Sequence, residues 1–320
     1  MSVAGRTSLL VDAGRTGVRI ARWDGARAVP LAEGPGLPML AEAGGPEAAA
    51  RAIAALVPEH ADVEVVAGGL TGLMELPGRT QEIAQALLRS LGASGVVLTS
   101  DVVTSHLGAL AGQSGVVAAV GTGTVVLGLS PSGDAAKVDG WGYLLGDAGS
   151  GFDVGRQGLS AAMAAHDGRQ RTLLAAAAQA RFGPLSELPG RVYAEPEPVH
   201  LVASFAPDVA AAARRGDAVA LGIWDAAAAA VARAIGAALE HARLDDQHRR
   251  VSLAGSLGRL DLLHERVRVL LERDAAPVKL VPPQAGALGG AGLLLDAQVR
   301  EWLGSLAHVF HADGPPTGPP

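Results

Sequence analysis

The sequence contains no cysteine. This absence excludes disulfide bonds, thiolate metal sites, iron–sulfur clusters and cysteine nucleophiles. Lysine is almost as scarce, because only Lys137 and Lys279 occur among 26 basic residues and neither follows a glycine. The sequence therefore has no G-x-x-x-x-G-K-[ST] phosphate loop, and it also lacks a G-x-G-x-x-G dinucleotide fingerprint after its first strand pattern. A phosphate site needs neither motif, since backbone N–H groups and a metal ion can supply the positive charge.

Long apolar runs and an excess of positive charge are also missing. No run approaches the roughly 18 apolar residues that a membrane span needs, and residues 1–7 lack the features of a signal peptide. The net charge of -6 argues against a general nucleic-acid binder. Hydrophobic residues make up 49% of the 320 residues, enough for about two globular domains. We expect a cytoplasmic protein that binds neither nucleic acid nor membrane.

The first third of the chain alternates strand and helix patterns. Residues 8–13 and 18–23 are apolar, β-branched runs separated by a glycine-containing link, which predicts a β-hairpin. After a loop at 33–46, the pattern predicts helices at 47–57, 79–91 and 102–111 and strands at 63–67 and 96–99.

The second half opens in the same way, with strands at 115–120 and 125–129 around a Gly/Thr turn. Further helices are predicted at 155–166, 169–182, 217–243 and 259–273, strands at 251–254 and 278–281, and mostly helix at 284–306. The repeated order predicts a duplicated α/β lobe with a cleft between the copies, where ligands usually bind. The predicted N-terminal lobe covers 1–113 and is completed by a helix at about 286–308. The C-terminal lobe covers 114–285, and a Pro/Gly-rich flexible tail covers 311–320.

Two hairpin tips are candidate phosphate sites. They are residues 12–17 (DAGRTG) and 121–124 (GTGT). Each motif alone is also typical of an ordinary turn. Glycines, however, let backbone N–H groups approach phosphate oxygens, and Asp12 would suit a hydrated Mg²⁺ ion. The recurrence of such a tip in both halves favours phosphate binding.

Asp101 ends a buried strand pattern and begins a helix. An aspartate there is often only a helix N-cap. The alternative is a catalytic base, because ligands gather at the carboxyl ends of strands and phosphoryl transfer needs little base strength.

The segment 138–151 (VDGWGYLLGDAGSG) is the most informative part of the sequence. It combines five glycines with Trp141, Tyr143 and aspartates, in a chain that has only four tryptophans and two tyrosines. Aromatic faces and carboxylates are the groups that bind sugars. A packed structural loop is the alternative interpretation.

These motifs together resemble the BadF/BadG/BcrA/BcrD-type ATPase superfamily, and within it the N-acetylglucosamine and glucosamine kinases. The resemblance covers about residues 8–298 and is carried by DAGRTG (12–17), TSD (99–101), GTGT (121–124), GWGYLLGDAGSG (140–151), LAGSLG (253–258) and PPQAGALGGAGLL (282–294). It implies an α/β actin/hexokinase-like fold of two ribonuclease-H-like lobes that close on ATP and sugar.

The resemblance also implies site residues. Asp101 corresponds to the base that deprotonates the sugar 6-hydroxyl, and Asp12 to the residue that holds Mg²⁺ through water. The ATP phosphates would contact Gly14, Arg15, Thr16, Thr122, Gly123 and Thr124. The adenosine would contact Gly255 and Ser256, and the sugar Thr71, Gly140, Trp141 and Asp147. Homodimers are common in this family.

The sequence departs from the family pattern at several positions. Arg15 stands where glycine is usual and Gly17 where a longer side chain is common. Ala148 replaces a glutamate, and Val125 occupies a position that is asparagine in some members. Two alternatives to an amino-sugar kinase therefore stay open: a catalytically weak sugar-binding or regulatory protein, and a kinase for a different hexose. The related ATPases that activate dehydratases need cluster-binding cysteines, so that activity is excluded.

Overall fold

The computed structural model describes residues 7–59, 61–274 and 277–312. Contacts divide the chain into two compact units. Unit 1 comprises residues 1–114, 131–133 and 283–320, and unit 2 comprises residues 115–130 and 134–282. Unit 1 is therefore assembled from three separate segments of the chain, whereas unit 2 is nearly continuous.

Unit 1 is built on a six-stranded sheet with the order β11-β5-β4-β1-β2-β3. The strands β1, β4 and β5 are parallel, and the other three pair antiparallel to their neighbours. The elements are β1 (Thr7–Ala13), β2 (Val18–Trp23), β3 (Ala28–Gly34), α1 (Gly45–Ala54), β4 (Val63–Leu70), α2 (Thr80–Leu91), β5 (Gly95–Ser100), α3 (Asp101–Leu110), α12 (Ala287–Leu293), α13 (Ala297–Leu303) and β11 (His308–His311).

The unit 1 sheet is covered by different helices on its two faces. Leu9, Val11 and Ala13 of β1 point into a core that includes buried residues of α1 and α2. Since side chains alternate along a strand, Asp12 faces the other side, where α3 and α12 pack. A Cβ added to Gly69, the register partner of Asp12, would lie 2.1 Å from the Thr104 hydroxyl of α3.

The helices α3 and α12 are joined by close backbone contact. A Cβ at Gly108 would lie 2.2 Å from the Gly286 carbonyl oxygen, and one at Gly290 would lie 1.9 Å from the Thr104 carbonyl oxygen. The backbone N–H of Gln284 donates to the Ala109 carbonyl at 3.0 Å. Only residues without a side chain permit this approach, so the C-terminal segment is fixed against the helix that begins at Asp101.

Unit 2 is built on a five-stranded sheet with the order β10-β9-β6-β7-β8. Its elements are β6 (Gly115–Val120), β7 (Thr124–Leu129), β8 (Ala135–Asp139), α4 (Gly151–His166), α5 (Leu174–Phe182), α6 (Leu188–Ala194), α7 (Pro198–Ala203), α8 (Ala206–Arg214), α9 (Ala218–His241), β9 (Arg250–Ala254), α10 (Gly255–Gly258), α11 (Asp261–Asp274) and β10 (Lys279–Leu280). Its core is centred on Trp224 and Phe205, which are fully buried.

The helix α9 is long and apolar enough, by length and composition, to cross a membrane. This finding corrects the expectation that no such segment exists. The cause is the alanine-rich composition, which keeps the hydropathy high without large side chains. In the structure α9 packs against α11 and the strands β6, β7 and β8, and its buried residues belong to the unit 2 core.

Both predicted hairpins are confirmed, as are most of the predicted helices. The sequence analysis did not predict the edge strands β3, β8 and β11 or the helices α6, α7 and α8. Of the predicted tail, His311 lies in β11, where it pairs with Gly95. Residues 313–320 of that tail lie outside the described residues.

Candidate functional site

The first candidate phosphate turn connects β1 and β2 in unit 1. The N–H of Gly14 donates to the Gly17 carbonyl at 2.9 Å, and the Gly14 carbonyl accepts from the N–H of Leu37 at 2.9 Å. Arg15 and Thr16 are exposed at the tip. The Arg15 guanidinium also contacts the sulfur of Met39. The turn therefore has carbonyls held by neighbouring N–H groups and a cationic, hydroxyl-bearing tip.

Asp12 lies at the end of β1, directly before this turn. Its carboxylate is almost completely buried and forms an ion pair with Arg19, its register partner on β2. Burial raises the pKa of Asp12, and the neighbouring Arg19 charge opposes that rise. Arg19 was not among the residues predicted from the sequence. Its role was accessible from the hairpin pattern, because a four-residue link sets Asp12 opposite Arg19.

Asp101 is the first residue of α3, immediately after β5. Its Oδ1 accepts hydrogen bonds from the Ser100 hydroxyl at 3.1 Å and from the Val102 N–H at 2.9 Å. Burial raises the pKa of Asp101 to about 6, and the negative charges of Asp12 and Glu75 contribute to the rise. A carboxyl group with this pKa exchanges a proton near neutral pH, as a general base must.

Thr71 follows β4 and lies in the same unit as Asp12 and Asp101. Its N–H donates to the carbonyl of Ala13 at 2.9 Å, so the end of β4 is tied to the end of β1. Unit 1 thus brings together Asp12, Asp101, Thr71 and the 14–17 turn at the carboxyl ends of its parallel strands, where ligands of α/β sheets usually bind.

The second candidate phosphate turn connects β6 and β7 in unit 2. The carbonyls of Gly121 and Thr122 accept from the N–H groups of Gly151 at 2.7 Å and Phe152 at 3.1 Å, both in the first turn of α4. A Cβ placed on Gly121 would lie 3.9 Å from the hydroxyl of Ser256, the second residue of α10. The residues predicted for phosphate and adenosine in unit 2 are therefore neighbours.

Thr124 differs from Thr122 in its exposure. Thr124 is 2% exposed, and its hydroxyl has no hydrogen-bond partner within the described part of the chain. Its backbone N–H donates to the carboxylate of Asp147. The structure thus places Thr124 as a support for Asp147, while the half-buried Thr122 lies at the tip of the turn.

The loop after β8 is organised by Asp139, which the sequence analysis did not select. Its carboxylate accepts from the N–H groups of Gly140 at 2.8 Å, Asp147 at 2.6 Å and Ala148 at 3.1 Å. Asp139 and Asp147 both adopt left-handed backbone conformations, with φ of 62° and 58°. Such conformations are uncommon outside glycine. The carboxylate of Asp139 therefore fixes the conformation of the whole loop.

Three of the four predicted sugar residues, Gly140, Trp141 and Asp147, lie on this loop, whereas Thr71 lies in unit 1. The carboxylate of Asp147 packs against Gly123, where an added Cβ would lie 2.8 Å from Oδ2. Burial raises the pKa of Asp147, and the Asp139 charge adds to the rise. Trp141 is 62% exposed, and the Lys137 ammonium lies 4.3 Å from its ring centroid. The loop offers an exposed aromatic face near a carboxylate, as sugar sites require.

Ala148 needs no side chain for its structural role, because it contributes its backbone N–H to Asp139. The next residues form a helix cap for α4. The Ser150 hydroxyl accepts from the Asp153 N–H at 3.2 Å, and the Asp153 carboxylate accepts from the Gly149 N–H at 3.0 Å. This reciprocal cap fixes the start of α4 and the 121–123 turn that rests on it.

The residues fit the phosphates of a nucleotide. In both turns the carbonyls described above are engaged by N–H donors, so they are not available to repel an anion, and Thr16 and Thr122 lie at the tips. The fit to Mg²⁺ rests on Asp12. No cluster of three or more metal-ligating side chains occurs among the described residues. Mg²⁺ bound to a nucleotide needs only one or two carboxylates, since waters and phosphates complete its shell.

Known proteins resemble this chain over most of its length. A curated N-acetylmuramic acid/N-acetylglucosamine kinase of Clostridium acetobutylicum is 26% identical over 225 residues, covering 68% of this chain and 73% of that protein. A crystal structure described as a candidate N-acetylglucosamine kinase of Chromobacterium violaceum is 26% identical, with a TM-score of 0.72, and covers 91% of this chain and 99% of its own.

A second crystal structure, a candidate N-acetylglucosamine kinase of Porphyromonas gingivalis, shares the fold with 17% identity and a TM-score of 0.67. It covers 91% of this chain and 98% of its own. These similarities and the two mixed sheets confirm the predicted α/β fold of the actin/hexokinase-like type. The model of the BadF/BadG/BcrA/BcrD ATPase family matches residues 45–294. The chain therefore belongs to the BadF/BadG/BcrA/BcrD ATPase family.

Proposed function

We propose that this protein is an ATP-dependent sugar kinase that phosphorylates the 6-hydroxyl of N-acetylglucosamine or glucosamine. The observation that carries this proposal is the buried carboxylate of Asp101. This residue is the first of α3, and burial raises its pKa to about 6. The names of the curated and structural relatives support the substrate class. Because the reaction consumes ATP, we place the protein in the cytoplasm.

In the proposed reaction Asp101 accepts the proton of the sugar hydroxyl. The sugar oxygen forms a bond to the γ-phosphorus, the bond from that phosphorus to the β–γ bridging oxygen breaks, and ADP leaves with the electron pair. The turns at 14–17 and 121–124 hold the phosphates through N–H groups and the hydroxyls of Thr16 and Thr122, with Arg15 adding positive charge. Mg²⁺ on Asp12 would neutralise phosphate charge when bound.

The loop that Asp139 organises holds the acceptor in this proposal. Trp141 packs against the apolar face of the sugar ring, and Asp147 accepts hydrogen bonds from sugar hydroxyls. Gly140 contacts the sugar through its backbone, and Thr71 contacts it through its backbone or its hydroxyl. Gly255 and Ser256 contact the adenosine. The alanine at position 148 is compatible with this role, because the loop uses only its backbone.

The test is an ADP-release assay coupled to a panel of acceptors: glucosamine, N-acetylglucosamine, N-acetylmuramic acid, glucose and mannose. We expect turnover with an amino sugar, and we expect Asp101→Asn to lower kcat by about 10²–10⁴-fold while ATP binding by calorimetry is unchanged. Undiminished turnover in Asp101→Asn would remove Asp101 as the base. Turnover only with glucose or mannose would make the protein a kinase for a different hexose.

The same panel separates the kinase from a sugar-binding regulatory protein. A regulatory protein would bind one of the sugars in calorimetry and release no ADP with any of them. Mass spectrometry or NMR of the product identifies which hydroxyl carries the phosphate. A phosphate elsewhere than on the 6-hydroxyl would overturn the proposed position and leave the proposed base in place.

A further inference from the structure

Unit 1 contains a surface cavity whose lining includes Arg19 and none of the site residues predicted from the sequence. It has a volume of about 450 Å³ and lies between the β2–β3 hairpin and the joined helices α3 and α12. Its walls include Arg19, Trp23 and Arg27 on the hairpin side and Gly286 and Leu293 on the helical side. Small-molecule sites in proteins span about 300–1,000 Å³ and combine apolar walls with a few polar groups, which describes this cavity.

We propose that this cavity binds a small organic anion that has an apolar or aromatic body and one phosphate or carboxylate group. The residues that line the cavity belong to neither the 14–17 turn nor the 121–124 turn, and the proposal does not depend on the kinase activity. The hairpin residues that line the cavity lie before residue 45, where the match to the family model begins, and so they fall outside that match.

The anionic part of the ligand is inferred from two arginines in the same wall. Arg27 is 82% exposed and uses its Nε for Asp24 at 3.2 Å, while Arg19 uses one terminal nitrogen for Asp12. A guanidinium carries five N–H donors in a planar fork. Each arginine therefore keeps N–H donors beyond those that its aspartate engages. A phosphate or carboxylate in the cavity could accept hydrogen bonds from both arginines.

The apolar part of the ligand is inferred from the remaining walls. The ring of Trp23 lies against α12, where a Cβ on Gly292 would be 2.5 Å from the indole. Leu293 and the alanines Ala28, Ala111, Ala285 and Ala287 add further apolar surface. Such small side chains leave the space open instead of filling it. An inorganic ion would leave this surface exposed to water, so an organic body is the better occupant.

Gly286 is a position at which a side chain can be added to the cavity wall. A Cβ added to Gly286 would meet no atom within 4 Å, and Gly286 has an ordinary extended backbone with φ of -83°. The variant Gly286→Phe should therefore project its ring into the cavity. Gly222 on α9 in unit 2 is equally unobstructed, so Gly222→Phe is a matched control for the added ring.

The arginine contribution has its own matched pair. Arg27→Gln removes a cavity cation that touches neither the turns nor Asp12. Arg22 is the neighbouring exposed arginine of β2, and alternation along the strand places it on the opposite face from Trp23. Arg22→Gln therefore removes the same charge from the same hairpin without touching the cavity.

The experiment is isothermal titration calorimetry of the full chain, with saturating Mg-ADP present so that the phosphate turns do not compete. The probes are phenyl phosphate, benzyl alcohol and inorganic phosphate. We expect saturable binding of phenyl phosphate. Its Kd should rise about tenfold in Arg27→Gln, as loss of one charge-assisted hydrogen bond predicts, and binding should be lost in Gly286→Phe. Arg22→Gln and Gly222→Phe should bind as the unmodified protein does.

Three outcomes would overturn the proposal. The first is no saturable binding of phenyl phosphate. The second is equal binding of benzyl alcohol or inorganic phosphate, since either would make one half of the inferred ligand unnecessary. The third is unchanged affinity in Arg27→Gln, a result that decides the matter even if Gly286→Phe does not fold. Because these measurements need no turnover, their failure is distinct from failure of the kinase proposal.

Discussion

Burial raises the pKa of Asp101 in unit 1, and the negative charge of Asp12 adds to that rise. The two carboxylates belong to different elements, the end of β1 and the start of α3, and burial acts on both in the same direction. Arg19 compensates Asp12 directly. Asp101 accepts hydrogen bonds from Ser100 and Val102, which offset only part of the effect of burial, so its protonation responds to pH near its raised pKa of about 6.

The pH dependence of the reaction follows from this pKa. A base must be ionised, so kcat/KM for the acceptor should fall about tenfold per pH unit below a pH of about 6 and level off above it. Steady-state rates between pH 4.5 and 8.5, at fixed ionic strength, measure the profile. A flat profile down to pH 5 would show that Asp101 does not act as the base.

The same pKa predicts an effect on stability. A carboxyl group whose pKa rises on folding stabilises the folded state below its unfolded pKa near 3.8, and that contribution is lost as the pH rises through about 6. Asp101→Asn keeps an oxygen acceptor for Ser100 and Val102 without the buried charge. The variant should therefore be more stable than the unmodified protein at pH 8, by on the order of 3 kcal/mol at most, and should lose this advantage below pH 4. Urea denaturation at both pH values tests the sign.

Removing the Asp139 carboxylate should disorganise the sugar loop. Asp139→Ala deletes the acceptor of three backbone N–H groups, and we expect KM for the acceptor to rise at least about tenfold while KM for ATP changes little. Asn tolerates the left-handed conformation and keeps one acceptor oxygen. The acceptor KM of Asp139→Asn should therefore lie between those of the unmodified protein and Asp139→Ala. Equal acceptor KM values in all three proteins would contradict the role given to Asp139.

Two threonines of one turn should respond differently to the same substitution. Thr122→Val removes a hydroxyl from the tip and should weaken ATP binding several-fold. Thr124→Val removes a buried hydroxyl that has no partner in the described chain, and so it should leave ATP binding unchanged and raise the free energy of unfolding by about 1 kcal/mol. Calorimetry with ATP and thermal denaturation decide between them. Weaker ATP binding in Thr124→Val would make that hydroxyl a phosphate ligand.

The close contact between β4 and α3 should not tolerate a methyl group. Gly69→Ala would place its Cβ 2.1 Å from the Thr104 hydroxyl and 2.9 Å from the Asp101 Cα. Overpacking of this kind costs about 1–3 kcal/mol, and displacement of Asp101 should lower kcat as well. Gly78→Ala is the control, because an added Cβ there meets nothing within 4 Å. Equal stability and kcat in both variants would show that β4 and α3 can move apart freely.

The sequence predicted those parts of the fold whose pattern is local. The two hairpins were found because apolar, β-branched runs flank glycine-containing links, and α3 was found from a strand followed by Asp101. The strands β3 and β11 were missed for a physical reason. The first contains Pro30, which is tolerated only at an edge, and the second pairs with β5 across more than 200 residues of chain.

The candidate site divides in the same way. Glycine and threonine turns, Asp101 and the Trp141 loop carry recognisable patterns. The function of Asp139 depends on a loop whose backbone bends N–H groups 8 and 9 residues away toward one carboxylate. The backbone N–H of Thr124 donates to the carboxylate of Asp147, a residue on a different element. Neither relationship has a signature in residue spacing.

The glycine-tight joint between α3 and α12 also bears on the order in which the chain acquires its structure during synthesis. The helix that begins at Asp101 leaves the ribosome early, yet its packing partner is not made until residues 287–293 have been translated. Unit 2 is complete once residue 282 has emerged. The segment bearing Asp101 must therefore wait until residues 287–293 have been made, and a chain released before residue 287 would carry the turns and the carboxylates without the support that holds them.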